Sequence, residues 1–551
     1  MNKLKPKLFS VLKTYTKQQF VKDIIAGIIV ALIALPLSIA LAIASGVAPE
    51  QGLYTAIFAG FFISLLGGSR VQIGGPTAAF VVIIYGIQAK YGMTGLTLAT
   101  LMAGVILIIM GLCRFGSLIK YIPYTITTGF TAGVAVGIFA GQIKDFLGLS
   151  IDKVPAEFIG KCKVYAKNIT TVDRDTIIIG LIALAILIIT PKISKIIPGS
   201  LLAIIVTTLI VKFTSLDTAT IGSNFENISS KIPTPSLPGN INFEMVSELL
   251  PSAFTIAILA GIESLLSCVV SDGMINSRHR SNMELIGQGV GNIASGLFGG
   301  IPATGAIART AANVKNGGRT PIAGIVHAIT LLLILVLFMP YAKLIPMTTL
   351  AAILIVVAYN MADWKEFGDL FIHAPKSDVL VLIVTFLLTV FFDLVVAIEI
   401  GIVLASLLFI KRMSDVASVR NWTYINGYDD SKENDPMHIC LKEVPEHTLV
   451  YEIDGPMFFG AADNFLEISV TNDIKALILR MRSVPAMDIT ALHALEKVYA
   501  LCQDKDITLI LSHVNEQPRK MMDKAGFTDK VGERNFRENI DDALEWAAKL
   551  V

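Results

Sequence analysis

The chain has 551 residues, of which 54% are hydrophobic and only 16% are charged, and its mean hydropathy is +0.67. A soluble protein would carry about a quarter charged residues, so the composition excludes an ordinary soluble enzyme and indicates a polytopic membrane protein. The formal net charge of +1 gives no reason to expect a nucleic-acid partner. The five cysteines are scattered and lack metal-ligand spacing, so they predict neither a disulfide framework nor a metal site.

The N-terminal residues 1–22 are rich in lysine and precede the first long apolar run, near 23–45. The stretch "ALAIASG" at the end of this run has the A-x-A pattern of a signal-peptide cleavage site. The run is too long for the apolar region of a signal peptide, however. We therefore interpret it as the first spanning helix, bent at Pro36, and residues 1–22 as a cytoplasmic N-terminal segment.

Apolar runs of roughly 17 to 25 residues, the length that crosses a bilayer, recur as far as residue 411. Twelve are predicted, near 23–45, 50–66, 94–113, 118–140, 174–190, 196–213, 250–270, 281–299, 318–338, 341–361, 376–393 and 394–411. Two further segments, about 76–90 and 304–315, are too short or too rich in small residues to count as full spans. With both included, the sequence predicts fourteen segments in a transport domain, 23–411.

The distribution of basic residues predicts the orientation of these segments. With fourteen segments, most lysines and arginines of the short connections lie on the same side as the N-terminus. The short connections on the opposite side hold little beyond Lys90 and Lys343. We therefore predict a multi-pass protein of the cell inner (plasma) membrane with both termini in the cytoplasm.

The two short segments follow similar stretches, "SLLGGSRVQIGGPTAAF" (64–80) and "SGLFGGIPATGAIARTA" (295–311). Their positions divide the domain into repeats of about 23–213 and 250–411, and paired Gly/Pro-interrupted segments indicate a transporter's binding site. A helix that begins inside the bilayer has unpaired N–H groups that lipid cannot satisfy, whereas an anion can. Small residues alone could instead serve close helix packing, but packing does not explain Arg309 in the second stretch.

Two longer stretches resemble a known family of membrane proteins. Residues 36–76, "PLSIALAIASGVAPEQGLYTAIFAGFFISLLGGSRVQIGGP", are similar to the signature of the sulfate-permease (SulP) family. Residues 263–324, from "ESLLSCVVSDG" to "NGGRTPIAG", resemble the second half of its bacterial branch. The resemblance implies a 7+7 inverted repeat, a core domain that moves against a gate domain, and a homodimer. It also implies that segments 3 and 10 are half-helices whose N-termini face one anion site.

By this resemblance the anion site lies at the starts of the two half-helices, with a contribution from segment 1. The residues it assigns are Thr77 and Ala78 in segment 3, Ile307, Ala308 and Arg309 in segment 10, and Leu37 and Leu41 in segment 1. Many relatives have glutamine, an aromatic residue and serine where this chain has Leu37, Leu41 and Ala308. Few side-chain donors remain, so backbone N–H groups and Arg309 would carry more of the binding.

Glu263 is a carboxylate in the otherwise apolar run "AILAGIESLLSCVVSD". Each half-helix start contributes roughly +0.5 charge, so with Arg309 the site carries on the order of +2. An ionised Glu263 would reduce that charge, whereas a proton or a sodium ion at Glu263 would restore it and favour anion binding, which is the logic of symport. The alternative is that Glu263 is a permanent structural partner of Arg309 or of nearby backbone.

The tail has the composition of a soluble domain, 439–551, joined through a polar linker, 412–438. Strands are predicted at 448–454, 475–482 and 506–512, with helices near 461–471, 490–503, 516–525 and 539–549. This α/β pattern resembles the STAS domain, the sulfate-transporter and anti-sigma-factor-antagonist module. Thr490 falls where antagonists have a phosphorylatable serine, so it is either a regulatory site or a helix N-cap.

The chain contains neither HExxH nor GxSxG, and it has no Walker A loop, so no enzyme activity and no cofactor are predicted. The predicted function is a secondary active transporter of a small inorganic or organic anion of the sulfate, bicarbonate or dicarboxylate class. Its predicted partners are that anion, H⁺ or Na⁺ as the coupling ion, and the lipid bilayer. An anion exchanger, a channel-like protein and a nucleobase-type carrier of the same fold remain alternatives.

Overall fold

The computed structural model describes residues 4–117, 123–151, 154–155, 157–193, 198–214, 216–225, 228–239, 242–392, 394–416, 418–421, 442–458 and 474–550. The chain forms two compact units, Met1–Val403 and Leu404–Val551. The predicted boundary at 439 and most of the predicted linker lie outside the described residues.

Each of the fourteen predicted segments contains a helix among the described residues. In chain order the helices of segments 1 to 14 are Lys17–Ala44, Pro49–Tyr54 continued by Gly60–Leu66, Ala78–Leu112 for segments 3 and 4 together, Tyr124–Leu147, Arg174–Ile193, Gly199–Phe213, Phe243–Ile275, Ser281–Leu297, Ile307–Lys315, Ile322–Ala342, Met347–Ala362, Lys376–Phe391 and Leu394–Val416. Within the described ranges, seven helices are long and apolar enough to cross a membrane by length and composition alone. Two shorter helices, Phe158–Lys167 and Trp364–His373, lie between segments 5 and 6 and between segments 12 and 13.

Segments 3 and 4 differ from their prediction as two separate helices. They follow each other without a loop, and Gly92 alone breaks the helix with φ 63° and ψ −168°. Only glycine adopts such a backbone conformation at low cost. A single residue therefore ends the half-helix and begins the next span, which a hydropathy pattern does not distinguish from a short connection.

Two-residue strands precede the half-helices, β1 (Gly74–Gly75) before segment 3 and β2 (Thr304–Gly305) before segment 10. They pair antiparallel, with Gly74 opposite Gly305 and Gly75 opposite Thr304. Because corresponding strands of the two repeats run in opposite directions, their pairing is the local expression of the inverted repeat.

The helices of the membrane unit pack as two groups. In the first group, the core domain, segment 4 packs against segment 9, segment 1 against segment 11, and segment 8 against segments 3 and 4. In the second, the gate domain, segment 5 packs against segments 12 and 13, and segment 6 against segments 7 and 12. The core domain contains both half-helices, so the strand pair lies within it.

The second unit contains a five-stranded sheet in the order β3-β4-β5-β6-β7. Its strands are β3 (Ser418–Asn421), β4 (Thr448–Asp454), β5 (Ala476–Ser483), β6 (Thr508–Ser512) and β7 (Phe536–Arg537). β3 is antiparallel to β4 and the other neighbours are parallel. The three predicted strands are present, while β3 and β7 are additional edge strands, and β3 lies within the predicted linker.

Helices cover both faces of this sheet, as is typical of parallel sheets. Helices Ile489–Asp504, Glu516–Lys524 and Phe527–Val531 pack on one face, and Ile540–Ala548 packs on the other. The predicted helix at 461–471 lies outside the described residues.

Thr490 does not cap helix Ile489–Asp504. The N-cap is Asp488, whose carboxylate accepts a hydrogen bond of 2.8 Å from the backbone N–H of Ala491. Thr490 lies in the first turn with its side chain exposed. The N-cap interpretation of Thr490 is therefore wrong, because a carboxylate two residues earlier already occupies that position.

Replacing Asp488 with alanine should destabilise helix Ile489–Asp504 by about 1 kcal/mol, because the acceptor for the first-turn N–H groups is lost. Thr490→Ala is the matched control and should have no such effect. Amide hydrogen exchange of the full-length protein in detergent measures both. Equal exchange in Asp488→Ala and wild type would contradict the assignment of the cap.

Candidate functional site

The strand pair places the starts of the two half-helices next to each other. Segment 3 begins with the turn Ala78–Phe80 directly after Thr77, and segment 10 begins after Ala306. The backbone N–H of Ala306 also donates to the carbonyl of Ile73, at 2.9 Å. Neither N-cap residue accepts a hydrogen bond from its helix through a side chain. Among the described residues, the first N–H groups of both helices thus have no side-chain cap, although the N–H of Phe80 donates to the carbonyl of Thr77.

Hydroxyl groups on one face of segment 8 hold the strands in position. Ser264 Oγ lies 2.8 Å from Thr304 Oγ1 and accepts a hydrogen bond of 2.9 Å from the backbone N–H of Gly305. One helical turn later, Ser267 Oγ donates to Gln72 Oε1 at 2.9 Å. These bonds satisfy buried polar groups that lipid could not, and they fix the face of segment 8 that also has Glu263.

Glu263, on segment 8, lies beside the start of segment 3. Thr77 Oγ1 donates a hydrogen bond of 3.0 Å to Glu263 Oε2, and the glutamate side chain is half-buried. Among the described residues no ion pair joins Glu263 to Arg309. The contacts therefore give no support to the alternative in which Glu263 is the permanent partner of the arginine.

Arg309 is 3% exposed and reaches from segment 10 to the residue before Thr77. Its Nη2 donates to the Pro76 carbonyl at 2.8 Å, while Nη1 has no hydrogen-bond partner among the described residues. The guanidinium thus bridges the two half-helices through one nitrogen and keeps the other unpaired. A fully buried cation with an unpaired donor is costly unless a further acceptor is available.

Comparison with known proteins connects this arrangement to a family. Residues 20–385 match the model of the sulfate permease family, and residues 440–543 match that of the STAS domain. The chain belongs to the sulfate permease family. YvdB of Bacillus subtilis, named as a sulfate transporter, is 41% identical over 96% of this chain and 98% of its own length.

Two further proteins show how far the similarity extends. The bicarbonate transporter BicA of Picosynechococcus is 32% identical over 95% of this chain and 94% of its own length. The structure of the murine Slc26a9 anion transporter in its inward-facing state superposes with a TM-score of 0.88, at 18% identity, over 99% of this chain and 94% of that one. The fold is therefore that of the family, with transmembrane and STAS parts, and these relatives are named as transporters.

The remaining residues assigned from the family resemblance lie around the two helix starts. Ile307 and Ala308 are exposed at the start of segment 10, whereas Ala78 is buried. Leu41 belongs to the same buried cluster as Ala78, and Leu37 packs against that cluster. Segment 1 also contacts segment 10. Segments 1, 3, 8 and 10, which contain the predicted site residues, thus lie next to one another.

His327 on segment 11 is a residue that the sequence analysis missed. Its side chain is fully buried, and neither ring nitrogen has a hydrogen-bond partner among the described residues. It lies close enough to Arg309 for the two to interact electrostatically. A lone histidine in the apolar run "IAGIVHAITLLL" was the available signal, but nothing in the sequence links it to Arg309.

Because Gly75 has no side chain, the Arg309 guanidinium can lie directly beside its backbone. A Cβ atom at Gly75 would lie 2.4 Å from Arg309 Nη1, so Gly75→Ala must displace the guanidinium or the strand. Overpacking of this kind costs about 1–3 kcal/mol, and we expect a lower unfolding temperature in detergent. Gly86→Ala in the adjoining helix is the control, because a Cβ there meets nothing within 4 Å. An unfolding temperature of Gly75→Ala equal to that of both controls, wild type and Gly86→Ala, would contradict this placement of Arg309.

Proposed function

We propose that the chain is a secondary active transporter of a small anion, with sulfate as the first candidate, bicarbonate as the second and dicarboxylates as the third. One observation supports this most directly: Arg309 of segment 10 donates a hydrogen bond to the carbonyl of Pro76, which directly precedes Thr77, the N-cap residue of segment 3. The order of substrates follows the relatives, since the one at 41% identity is named for sulfate and the one at 32% for bicarbonate.

The interior of a bilayer solvates charged groups poorly. An arginine at mid-bilayer depth costs at least about 2.5–3.5 kcal/mol, and each helix start adds roughly half a positive charge. An anion at this position accepts hydrogen bonds from the unpaired N–H groups and from Arg309 Nη1. A neutral nucleobase would leave the charge of Arg309 uncompensated, so that alternative is disfavoured.

Coupling is proposed to occur at Glu263. Because Thr77 donates to this carboxylate at the start of segment 3, a proton or a sodium ion on Glu263 removes a negative charge beside the anion site. The empty carrier would favour the ionised carboxylate, and the loaded carrier the neutralised one. Binding of anion and coupling ion would then be mutually favourable by linkage.

In the transport cycle, the core domain with both half-helices would move against the gate domain. Both termini and the STAS domain would lie in the cytoplasm, and the protein would be a homodimer in the plasma membrane. Thr490 has an exposed hydroxyl on the STAS domain and is a proposed phosphorylation site.

Uptake of radiolabelled sulfate into proteoliposomes tests this function. Bicarbonate, fumarate and uracil serve as competitors, under an imposed pH or sodium gradient. Accumulation of sulfate against its own gradient supports a coupled carrier, and strict dependence on an internal anion would identify an exchanger. Flux that only dissipates the sulfate gradient would identify a channel-like protein and contradict the proposal.

Arg309→Ala should lower the affinity for the anion at least tenfold, which corresponds to about 1.4 kcal/mol. Arg309→Lys should recover only part of it, because an ammonium lacks the planar fork that binds oxyanions with two hydrogen bonds. Lys315→Ala is the control, since this exposed lysine lies at the other end of the same helix. Calorimetric titration of the purified variants with sulfate gives the affinities. A folded Arg309→Ala protein with wild-type affinity would show that the arginine is not a substrate-site charge.

Glu263→Gln should retain anion binding but lose the acceleration of uptake by an inward proton or sodium gradient, because the amide cannot be neutralised by either ion. Glu248→Gln is the control, because Glu248 is exposed near the other end of the same helix. Uptake rates with and without each gradient provide the measurement. If gradient dependence persists unchanged in Glu263→Gln, coupling takes place at another residue.

A further inference from the structure

A cavity of about 580 Å³ lies within the membrane unit beyond the anion site, along segment 3. It is bounded by the end of segment 1, by segment 3, by segment 5 and by the connection between segments 5 and 6. Asn224 and Phe225, between segments 7 and 8, and Met347 at the start of segment 12 complete its lining. The lining residues used below are Val81, Tyr85, Gln88, Lys144, Asp145 and Lys161. The cavity thus lies between the core and gate domains.

The inner end of the cavity approaches the proposed anion site. Val81 lines it and begins the regular helix of segment 3, one helical turn after Thr77. Tyr85 and Gln88 follow on the next turns and line the cavity farther out. An anion in the cavity would therefore lie along the helix whose start carries the proposed binding site.

Lys161 supplies a positive charge to this cavity. It belongs to helix Phe158–Lys167, is half-buried, and its Nζ lies 5.7 Å from the ring centroid of Tyr85. Within the described part of the chain, its ammonium has neither a hydrogen-bond acceptor nor a carboxylate partner. The Tyr85 hydroxyl is already engaged, since it donates to the Val154 carbonyl at 2.8 Å. The ammonium is therefore available to a further acceptor.

The charged side chains that line the cavity give it a net positive charge. Lys144 and Asp145 on segment 5 both line the cavity, so the described lining has two ammonium groups against one carboxylate. Gln88 Oε1 is buried without a hydrogen-bond partner among the described residues. Burial lowers the pKa of Lys161, and a bound anion would oppose that shift by stabilising the charged ammonium.

We infer that this cavity captures the transported oxyanion on the side of the membrane opposite the chain termini, with Lys161 as the entry charge. The inference rests on the proposed function and on its topology. An anion at Lys161 would compete with the Tyr85 ring for the ammonium, so capture would loosen a contact between segment 3 and the connection that follows segment 5. Entry of the anion and release of that contact would then occur together.

The test compares Lys161→Gln with two matched variants. Lys161→Arg keeps the charge, and Lys163→Gln removes an exposed lysine two residues along the same helix that does not line the cavity. The probe is radiolabelled sulfate, or bicarbonate if wild type does not take up sulfate. Proteoliposomes of neutral lipid are used. In a background with Cys113 and Cys440 replaced by serine, an impermeant maleimide that reacts with the exposed Cys162 reports which molecules have this helix outside.

Lys161→Gln should raise the KM for external anion by about threefold or more and leave kcat within about twofold, because an entry charge acts mainly on association. Lys161→Arg and Lys163→Gln should both resemble wild type. In wild type, raising the external ionic strength with an impermeant salt should raise KM, and Lys161→Gln should weaken that dependence. The ionic-strength series on wild type requires no variant, so it tests the inference even if Lys161→Gln fails to fold.

Two results would overturn the inference. They are an unchanged KM in folded Lys161→Gln, with or without a loss of kcat, and a wild-type KM that does not respond to ionic strength. Each leaves the proposed function intact as long as wild type shows saturable uptake. If wild type takes up neither sulfate nor bicarbonate, the proposed function is wrong and the inference fails with it.

Discussion

The pairing of β1 with β2 is the constraint on which the membrane unit depends. Two helices begin inside the hydrophobic layer, and the chain that leads to each of them has backbone groups that lipid cannot satisfy. The backbone groups of the two strands hydrogen-bond to each other. Ser264 on segment 8 accepts a further hydrogen bond, from the backbone N–H of Gly305. Pairing at this depth requires close backbone approach, which explains why small residues dominate both stretches. Small residues thus permit the backbone pairing that positions the starts of the two half-helices.

The same geometry keeps two ionisable groups close to one point without joining them. Arg309 contacts the carbonyl of Pro76, and Glu263 contacts the hydroxyl of Thr77, the next residue along the chain. A direct ion pair would neutralise both groups permanently. With consecutive residues of segment 3 between them, each group remains able to interact with an ion of the opposite sign. The proposed coupling therefore needs no long pathway, since both ions would act on one short piece of backbone.

Hydropathy was sufficient to predict twelve of the fourteen segments and most strands of the tail, because the bilayer and the buried sheet impose simple patterns on the sequence. The half-helices were found through the resemblance of two stretches rather than through hydropathy. Short-range features escaped prediction: Gly92 breaks a helix without a loop, and β3 and β7 are too short to show a pattern. His327 was missed because only tertiary packing brings it near Arg309, and Asp488 was overlooked because either it or Thr490 could begin the helix.

The strand pair also has a consequence for how the protein is made. β1 belongs to the first repeat and β2 to the second, so β1 is synthesised long before its partner exists. Until then the start of segment 3 has no partner strand, and contacts between residues so distant in sequence form slowly because a long loop must close first. The proposed anion site therefore cannot form until the ribosome has synthesised the second repeat as far as β2.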